Sequence, residues 1–410
     1  MTLDPVHFDG ISGLVSRISH DIDEAEHRSE AMRAWESFLD PLVVDGDRVL
    51  EPLDDLARYA VDVETAGVQD AAFDAVHGLD SGTVNPRAFK NGIVLDVAQA
   101  ALAVHPSDVD THRARTVIAT VHTNDDSVRL QSDDWQRRDE GYWRGRIFRA
   151  PNVERDEEAV VHALSLYLAE STHALDHASE VSDLLVLDGP LYPKIVMNWL
   201  SDRRELAALL EKDLVRDVVR NYLELVEVFA ERDVPLCGFV KTLGSRGVVS
   251  TLREKTHAPW TDDAAFFTQV LERRDADGDR VTDDLTYTNW FVSRVGIDYE
   301  FSDLGDALGL DLDLDREAYE VAFFVVYDPR TDTAFKVELP RVFADDPDVR
   351  ERVTRQVVSD VAATAGPPLA VKKADELARI GAAEKNELVS AMETALDSEY
   401  RRPHNEDRWG

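Results

Sequence analysis

The sequence predicts an α/β protein, and four stretches carry that prediction. Leu184-Leu185-Val186-Leu187 is a run of four apolar residues, as expected of a short strand buried in a core. A helical pattern precedes it from about Glu154 to Ala178, and a second follows from Val215 to Ala230. The chain then enters another buried run, Val234 to Lys241, so residues 154 to 241 alternate helix, strand, helices, strand as an α/β layer does.

The 410 residues are enough for one large core or two. Eighty-one acidic against 45 basic residues give a net charge of -36, spread through every segment rather than gathered in a tail. Such acidity resembles the halophile-type surface of a protein kept soluble in concentrated salt. It argues against a phosphate-rich partner, except that in strong salt the Debye length shrinks to ~3 Å and local basic clusters count for more than the total. Cys237 is the single cysteine, so no intrachain disulfide can form. The first residues lack the basic and apolar regions of a signal peptide, and no apolar run approaches the ~20 residues that span a bilayer. The expectation is a soluble, cytoplasmic protein without a membrane partner.

Residues 7 to about 40 form a leading helical arm in pattern. Ile11, Leu14, Val15 and Ile18 recur on one face, followed by Ile22, Met32, Trp35, Phe38 and Leu39. Such an arm can pack on its own core, on a second subunit or on a partner. Leu53 to Val61 reads as another short helix. From Asp74 the character turns to β, with apolar runs opening at Gly92 and spanning Arg115 to Val121. Tyr142 to Arg149 interleaves aromatics with Arg144, Arg146 and Arg149. That composition suits contact with nucleic acid, or an edge strand whose arginines pair with neighbouring carboxylates.

In the long helix the stripe Val160, Leu164, Tyr167, Leu168, Ser171 and Leu175 faces a core. Glu170 interrupts the apolar row Ala159, Ala163, Leu166, Ala174 beside it, as a border residue or as an inward ligand. His173 and His177 stand four apart, without the Glu of a zinc-protease motif, and read as solvent-side or border residues. A helix spans Asp202 to Leu210, and Thr261-Asp262-Asp263 opens another. Asp275 to Asp279 and Asp311 to Asp315 lack the Gly and closing Glu of calcium loops and read as acidic turns. Glu320 to Tyr327 and Ala334 to Pro340 form a hairpin, Asp346-Pro347 caps a helix, and a last helical portion holds Ala374 to Ala378. The tail from Tyr400 is polar and expected to be loose.

Two aspartates stand where strands must end. Asp188 is followed by Gly189-Pro190, and Asp80 lies in Gly78-Leu79-Asp80-Ser81-Gly82. Asp-Gly-Pro and Asp-Ser-Gly are also ordinary turn formers. Rigid strand ends are nevertheless where an open α/β sheet places its chemistry, and two such acids suggest one shared metal site. Lys241 closes the Val234 to Lys241 run; if that strand is parallel to its neighbour, the lysine projects toward Asp188 and can meet a phosphate.

Five stretches in one order resemble the NurA nucleases: Gly78 to Gly82, Leu187 to Leu191, Gly238 to Lys241, Val337 to Pro340, and Pro368-Leu369 through Ala374-Asp375-Glu376-Leu377. The resemblance covers roughly residues 74 to 381. It divides the chain into an N-terminal helical arm (1–73), a NurA-like nuclease domain (74–381), and a C-terminal helix and polar tail (382–410). It implies a ribonuclease H-like central mixed sheet flanked by helices. It also implies a Mn2+- or Mg2+-dependent nuclease on DNA ends, dimeric, working with a HerA-type hexameric ATPase. By resemblance Asp80 and Asp188 match the metal aspartates, Glu170 the helix glutamate, and Asp375 a position where many members carry histidine. The first motif departs from the common Asp-Gly-Ser order, since Ser81 here precedes Gly82.

Phosphodiester hydrolysis needs an activated water and charge neutralisation, which two divalent ions ~3.5–4 Å apart on carboxylates can supply. Asp80, Glu170 and Asp188 would be ligands, Asp375 a ligand or water-orienting group, and Arg87, Lys90 and Lys241 phosphate contacts. Two rivals stand beside this: an inactive scaffold partner of a HerA-like ATPase, and a metal phosphohydrolase acting on a small substrate.

Overall fold

The computed structural model describes residues 5–17, 24–106, 113–138, 142–199, 204–295, 298, 305 and 308–402. Ile18 and Ile22 of the leading arm, Asp202, and the tail beyond residue 402 lie outside the described residues. Within the described residues fifteen strands join in one mixed sheet. In chain order they are β1 (Leu42–Val44), β2 (Asp47–Pro52), β3 (Arg58–Asp62), β4 (Val76–Thr83), β5 (Arg87–Ala88), β6 (Val94–His105), β7 (Arg115–His122) and β8 (Gln136–Arg138). There follow β9 (Trp143–Arg149), β10 (Leu184–Asp188), β11 (Leu236–Val240), β12 (Asp284–Thr288), β13 (Phe291–Ser293), β14 (Val321–Asp328) and β15 (Thr333–Pro340).

The main order is β1-β2-β13-β14-β15-β11-β10-β4-β6-β7-β9-β8, with β12 attached to β14, β3 to β12 and β5 to β6. At its centre β10 runs parallel to both β4 and β11. This is the expected α/β architecture, a large mixed sheet flanked by helices. Leu184, Leu185 and Val186 are fully buried, as four successive apolar residues require when both faces of a strand are covered.

Successive residues of β4 point to opposite faces, and the two faces carry different helices. Ser81 meets the Glu157–Asp176 helix, through Glu170. Gly78 and Gly82 face the Leu369–Ala378 helix: a β-carbon on Gly78 would collide with the backbone of Ala370, and one on Gly82 with the carbonyl of Ala378. The Asp-Ser-Gly order therefore has a packing cause. The position facing the nearer helix must lack a side chain, and Ser81 is on the face where a hydroxyl has a partner. Gly82→Ala is expected to cost about 2–3 kcal/mol in urea unfolding, the scale of a forced overpacking. A midpoint equal to the parent's would show that the helix does not seat on this glycine.

The N-terminal segment is less purely helical than expected. Helices span Pro5–Val15 and Glu24–Phe38, but β1, β2 and β3 follow, and β2 and β3 pair with β13 and β12. The helix expected over Leu53 to Val61 is absent; Arg58–Asp62 is a strand whose Tyr59 stacks on Tyr287 with ring centroids 5.2 Å apart. Pairing with a distant strand overrode a local pattern too short to decide. The Asp202–Leu210 helix is reduced to one turn at Arg204–Ala207 and a 3-10 turn at Ala208–Glu211. Asp262 and Asp346 cap their helices as expected, accepting from Ala265 and Asp348 backbone N–H groups.

Candidate active site

The register of the central strands sets the site. β10 and β4 pair Val186 with Gly78 and Leu187 with Leu79, so one residue further Asp188 stands beside Asp80 on the same face. β11 pairs Phe239 with Asp188, and two residues on Lys241 projects to that face; its Nζ donates to Asp188 Oδ2 at 2.5 Å. Glu170 reaches the end of β4 from the other face. Ser81 Oγ donates to its Oε1 at 2.6 Å, and Tyr222 from the Asp213–Glu231 helix donates to its Oε2 at 3.2 Å.

Three acids thus share one electrostatic neighbourhood. Asp80, 9 % exposed, is pushed up to about 8 by burial and then by the charges of Asp188 and Glu170. The Ser81 backbone N–H, 2.7 Å from its Oδ1, and Lys241 oppose that rise without cancelling it. Glu170 is pushed up to about 7 by burial, with the Ser81 and Tyr222 hydrogen bonds working the other way. Like charges brought together under low solvent access are what a cation relieves. Among the described residues no three His, Cys, Asp or Glu side chains are already closed to metal-ligand spacing. The donor set nonetheless fits a hard divalent ion: carboxylate oxygens, two of them on rigid strand ends, with an ammonium already drawn to one. A cleft of about 570 Å³ opens by Pro190 and Val240 on the sheet face opposite Asp188 and Lys241, walled by Lys194, Asp298, Lys336, Glu338, Phe267 and Phe323 among others.

The NurA domain family matches residues 74–380. The chain belongs to the NurA nuclease family. No curated protein matches it. Among solved structures it is similar to the NurA nuclease from Sulfolobus solfataricus, at 14 % identity over 83 % of this chain and 87 % of that one, TM-score 0.46. It is likewise similar to a NurA bound to dAMP and manganese, at 10 % identity over 96 % and 98 %, TM-score 0.47. A NurA with manganese shares 9 % identity over 78 % and 89 %, TM-score 0.40.

The NurA-matched segment holds all the residues singled out from sequence, but only four of them meet. Asp80, Glu170, Asp188 and Lys241 converge; the other five have different partners. Asp375 lies on the Leu369–Ala378 helix that covers β4, yet its carboxylate is paired with Arg379 one turn on. Arg87 donates to the Tyr400 hydroxyl at 2.8 Å and lies over its ring, and Lys90 pairs with Glu399. The expected loose tail is therefore seated at its start: Tyr400 also packs edge-on against Phe89, ring centroids 6.3 Å apart. Arg144 donates to Thr116 Oγ1 and the Thr172 carbonyl and pairs with Asp176, while Arg146 donates to the Asp133 carbonyl at 2.5 Å. Those two arginines take the paired-carboxylate arrangement on a strand near the sheet edge.

His173 corrects its sequence assignment. It is fully buried rather than at a border, its Nδ1 2.9 Å from Thr116 Oγ1 and its ring 4.5 Å from that of His177. The helix is covered on that side by β7, which a helix-only periodicity does not report. Tyr222 was legible as a core residue of its helix, but its hydroxyl contact to Glu170 had no sequence signal. The buried Asp96 carboxylate, 2.8 Å from His162 Nδ1, lay unnoticed within the long β6 strand.

Proposed function

We propose that this NurA-family chain is a divalent-metal-dependent deoxyribonuclease that hydrolyses phosphodiesters at DNA ends, with single-strand endonuclease action as a second capability. In this reading it is cytoplasmic and works as a homodimer with a HerA-type hexameric translocase in resection of double-strand breaks. The observation that carries the chemistry is the in-register placement of Asp80 beside Asp188 with Lys241 at the same carboxylate.

Asp80 and Asp188 would hold Mn2+ or Mg2+, with Glu170 the third acid of the cluster. An ion bound there supplies charge neutralisation at the phosphate and an ionised water. Ser81 and Tyr222, each donating to one oxygen of Glu170, fix the orientation of that carboxylate. Lys241 is placed to transfer its ion pair from Asp188 to a phosphate oxygen.

One specific observation favours a second reading, a scaffold that docks a HerA-like ATPase without cutting. Asp375, at the position where many relatives carry histidine, is turned to Arg379. Purified protein with end-labelled DNA in molar salt separates the two. The nuclease reading expects shortening of the label with Mn2+ or Mg2+ and none after chelation. Intact DNA with both ions leaves the scaffold reading.

A further inference from the structure

Strands aim Asp80 and Asp188, but the turn that leaves Asp188 is held by a carboxylate from the hairpin on the other side of β11. Glu338 of β15 has no solvent exposure. Its Oε2 accepts the Leu191 backbone N–H at 2.9 Å. Its Oε1 accepts from Lys194 Nζ at 2.6 Å and lies 2.7 Å from Lys336 Nζ. Asp298 completes the cluster, 3.2 Å from Lys194 and 3.5 Å from Lys336. Two acids and two lysines balance, the condition under which buried charge is tolerated. Against the effect of burial, the two ammonium groups hold Glu338 below the usual carboxylate range.

The turn itself has little freedom. Gly189 sits at φ +136° in the left-handed half of backbone space, and its N–H donates to the Phe239 carbonyl at 3.1 Å. A β-carbon on Gly238 would press into Leu191 N and the Gly189 carbonyl, so the turn lies directly on β11. Its near end is thereby tied to β11 and its far end to Glu338. The Val337-Glu338-Leu339-Pro340 stretch, which no role had absorbed, supplies that second tie.

We propose that Glu338 is a positioning residue: by holding Leu191 N–H it fixes the Asp188–Leu191 turn, and so the presentation of the Asp188 carboxylate to a divalent cation. This rests on the metal-dependent reading above. A merely structural cluster would serve the sheet and leave cation affinity alone.

Glu338→Gln tests it in a discriminating way. With two lysines at one oxygen, the amide must turn its carbonyl toward them, which puts an NH2 against the Leu191 N–H, donor against donor. Asp298→Asn removes a charge from the same cluster but leaves the Leu191 bond in place. Titration calorimetry with Mn2+ on the full chain should show Glu338→Gln binding at least about 10-fold more weakly, the scale of a lost outer-sphere partner. Asp298→Asn should match the parent. Should Glu338→Gln not fold by circular dichroism, Glu338→Asp keeps the charge while drawing the oxygen back from Leu191, and the same weakening is expected. Parent-like affinity in the Glu338 variant, or equal weakening in both variants, overturns the positioning role while the metal site stands. A parent that takes up no Mn2+ overturns the metal reading and this inference with it.

Discussion

Replacing Asp188 by alanine is expected to lower manganese-dependent DNA hydrolysis by at least about 1000-fold, with Asp80→Ala falling as far. A loss of that size corresponds to ~4 kcal/mol of transition-state stabilisation, what a metal centre deprived of a principal ligand forfeits. The two substitutions differ in side effects, which makes the pair informative. Asp188→Ala also frees Lys241, whose Nζ is 2.5 Å from that carboxylate, whereas Asp80→Ala leaves the ion pair intact. If only the lysine contact mattered, Asp80→Ala would keep its activity. Initial rates on end-labelled duplex with Mn2+, alongside Lys241→Ala, decide the matter. Parent-like rates in either aspartate variant would remove the acid pair from the mechanism.

The second large effect concerns stability, and its sign depends on pH. In the metal-free protein Asp80 is raised to about 8 from an ordinary value near 3.8, and Glu170 to about 7 from 4.5. An acid whose folded value exceeds its unfolded one favours the native state while protonated. That contribution is complete below about pH 4 and is lost progressively as pH climbs from there through the folded values of 7 and 8. For Asp80 the total loss is on the order of 6 kcal/mol. Asp80→Asn, which cannot ionise, should escape it. Urea unfolding at pH 5 and pH 8.5 should therefore find the stability of the variant relative to the parent greater by roughly 4 kcal/mol at the higher pH. Because the many surface acids are common to both chains, their titration cancels in the comparison. Added Mn2+ at pH 8.5 should restore the parent and not the variant. An equal gap between the two proteins at both pH values would sink the coupling.

Much of the site could be read from the chain because rigid elements announce themselves. Leu184 to Leu187 and Leu236 to Phe239 are apolar without alternation, so their burial, their parallel pairing and the aspartate at the end of the first follow from composition and turn chemistry. Glu170 stood out as an acid in an apolar row, and the same feature makes it the partner of Ser81. Other parts stayed hidden for identifiable reasons. Arg58 to Asp62 is largely exposed and carries no alternation, so only β12, more than 200 residues away, reveals it as a strand. Lys336 and Glu338 on alternate positions of β15 look like one wet face of a hairpin, whereas β11 and β14 flank that strand and both are buried. The charges of distant residues neutralise one another there, and no window of local sequence contains all four.

The pairing of β2 and β3 with β13 and β12 also fixes an order of events during synthesis. β1 and β2 can pair at once, but the other edge of β2 and all of β3 have no mate until residues 284 to 293 leave the ribosome, so the nascent chain carries unpaired edges through most of its translation. A gene trimmed to the family-matched block that begins at residue 74 would leave β12 and β13 permanently without those mates. Its product would offer β12 and β13 to whatever neighbouring polypeptide could add a strand.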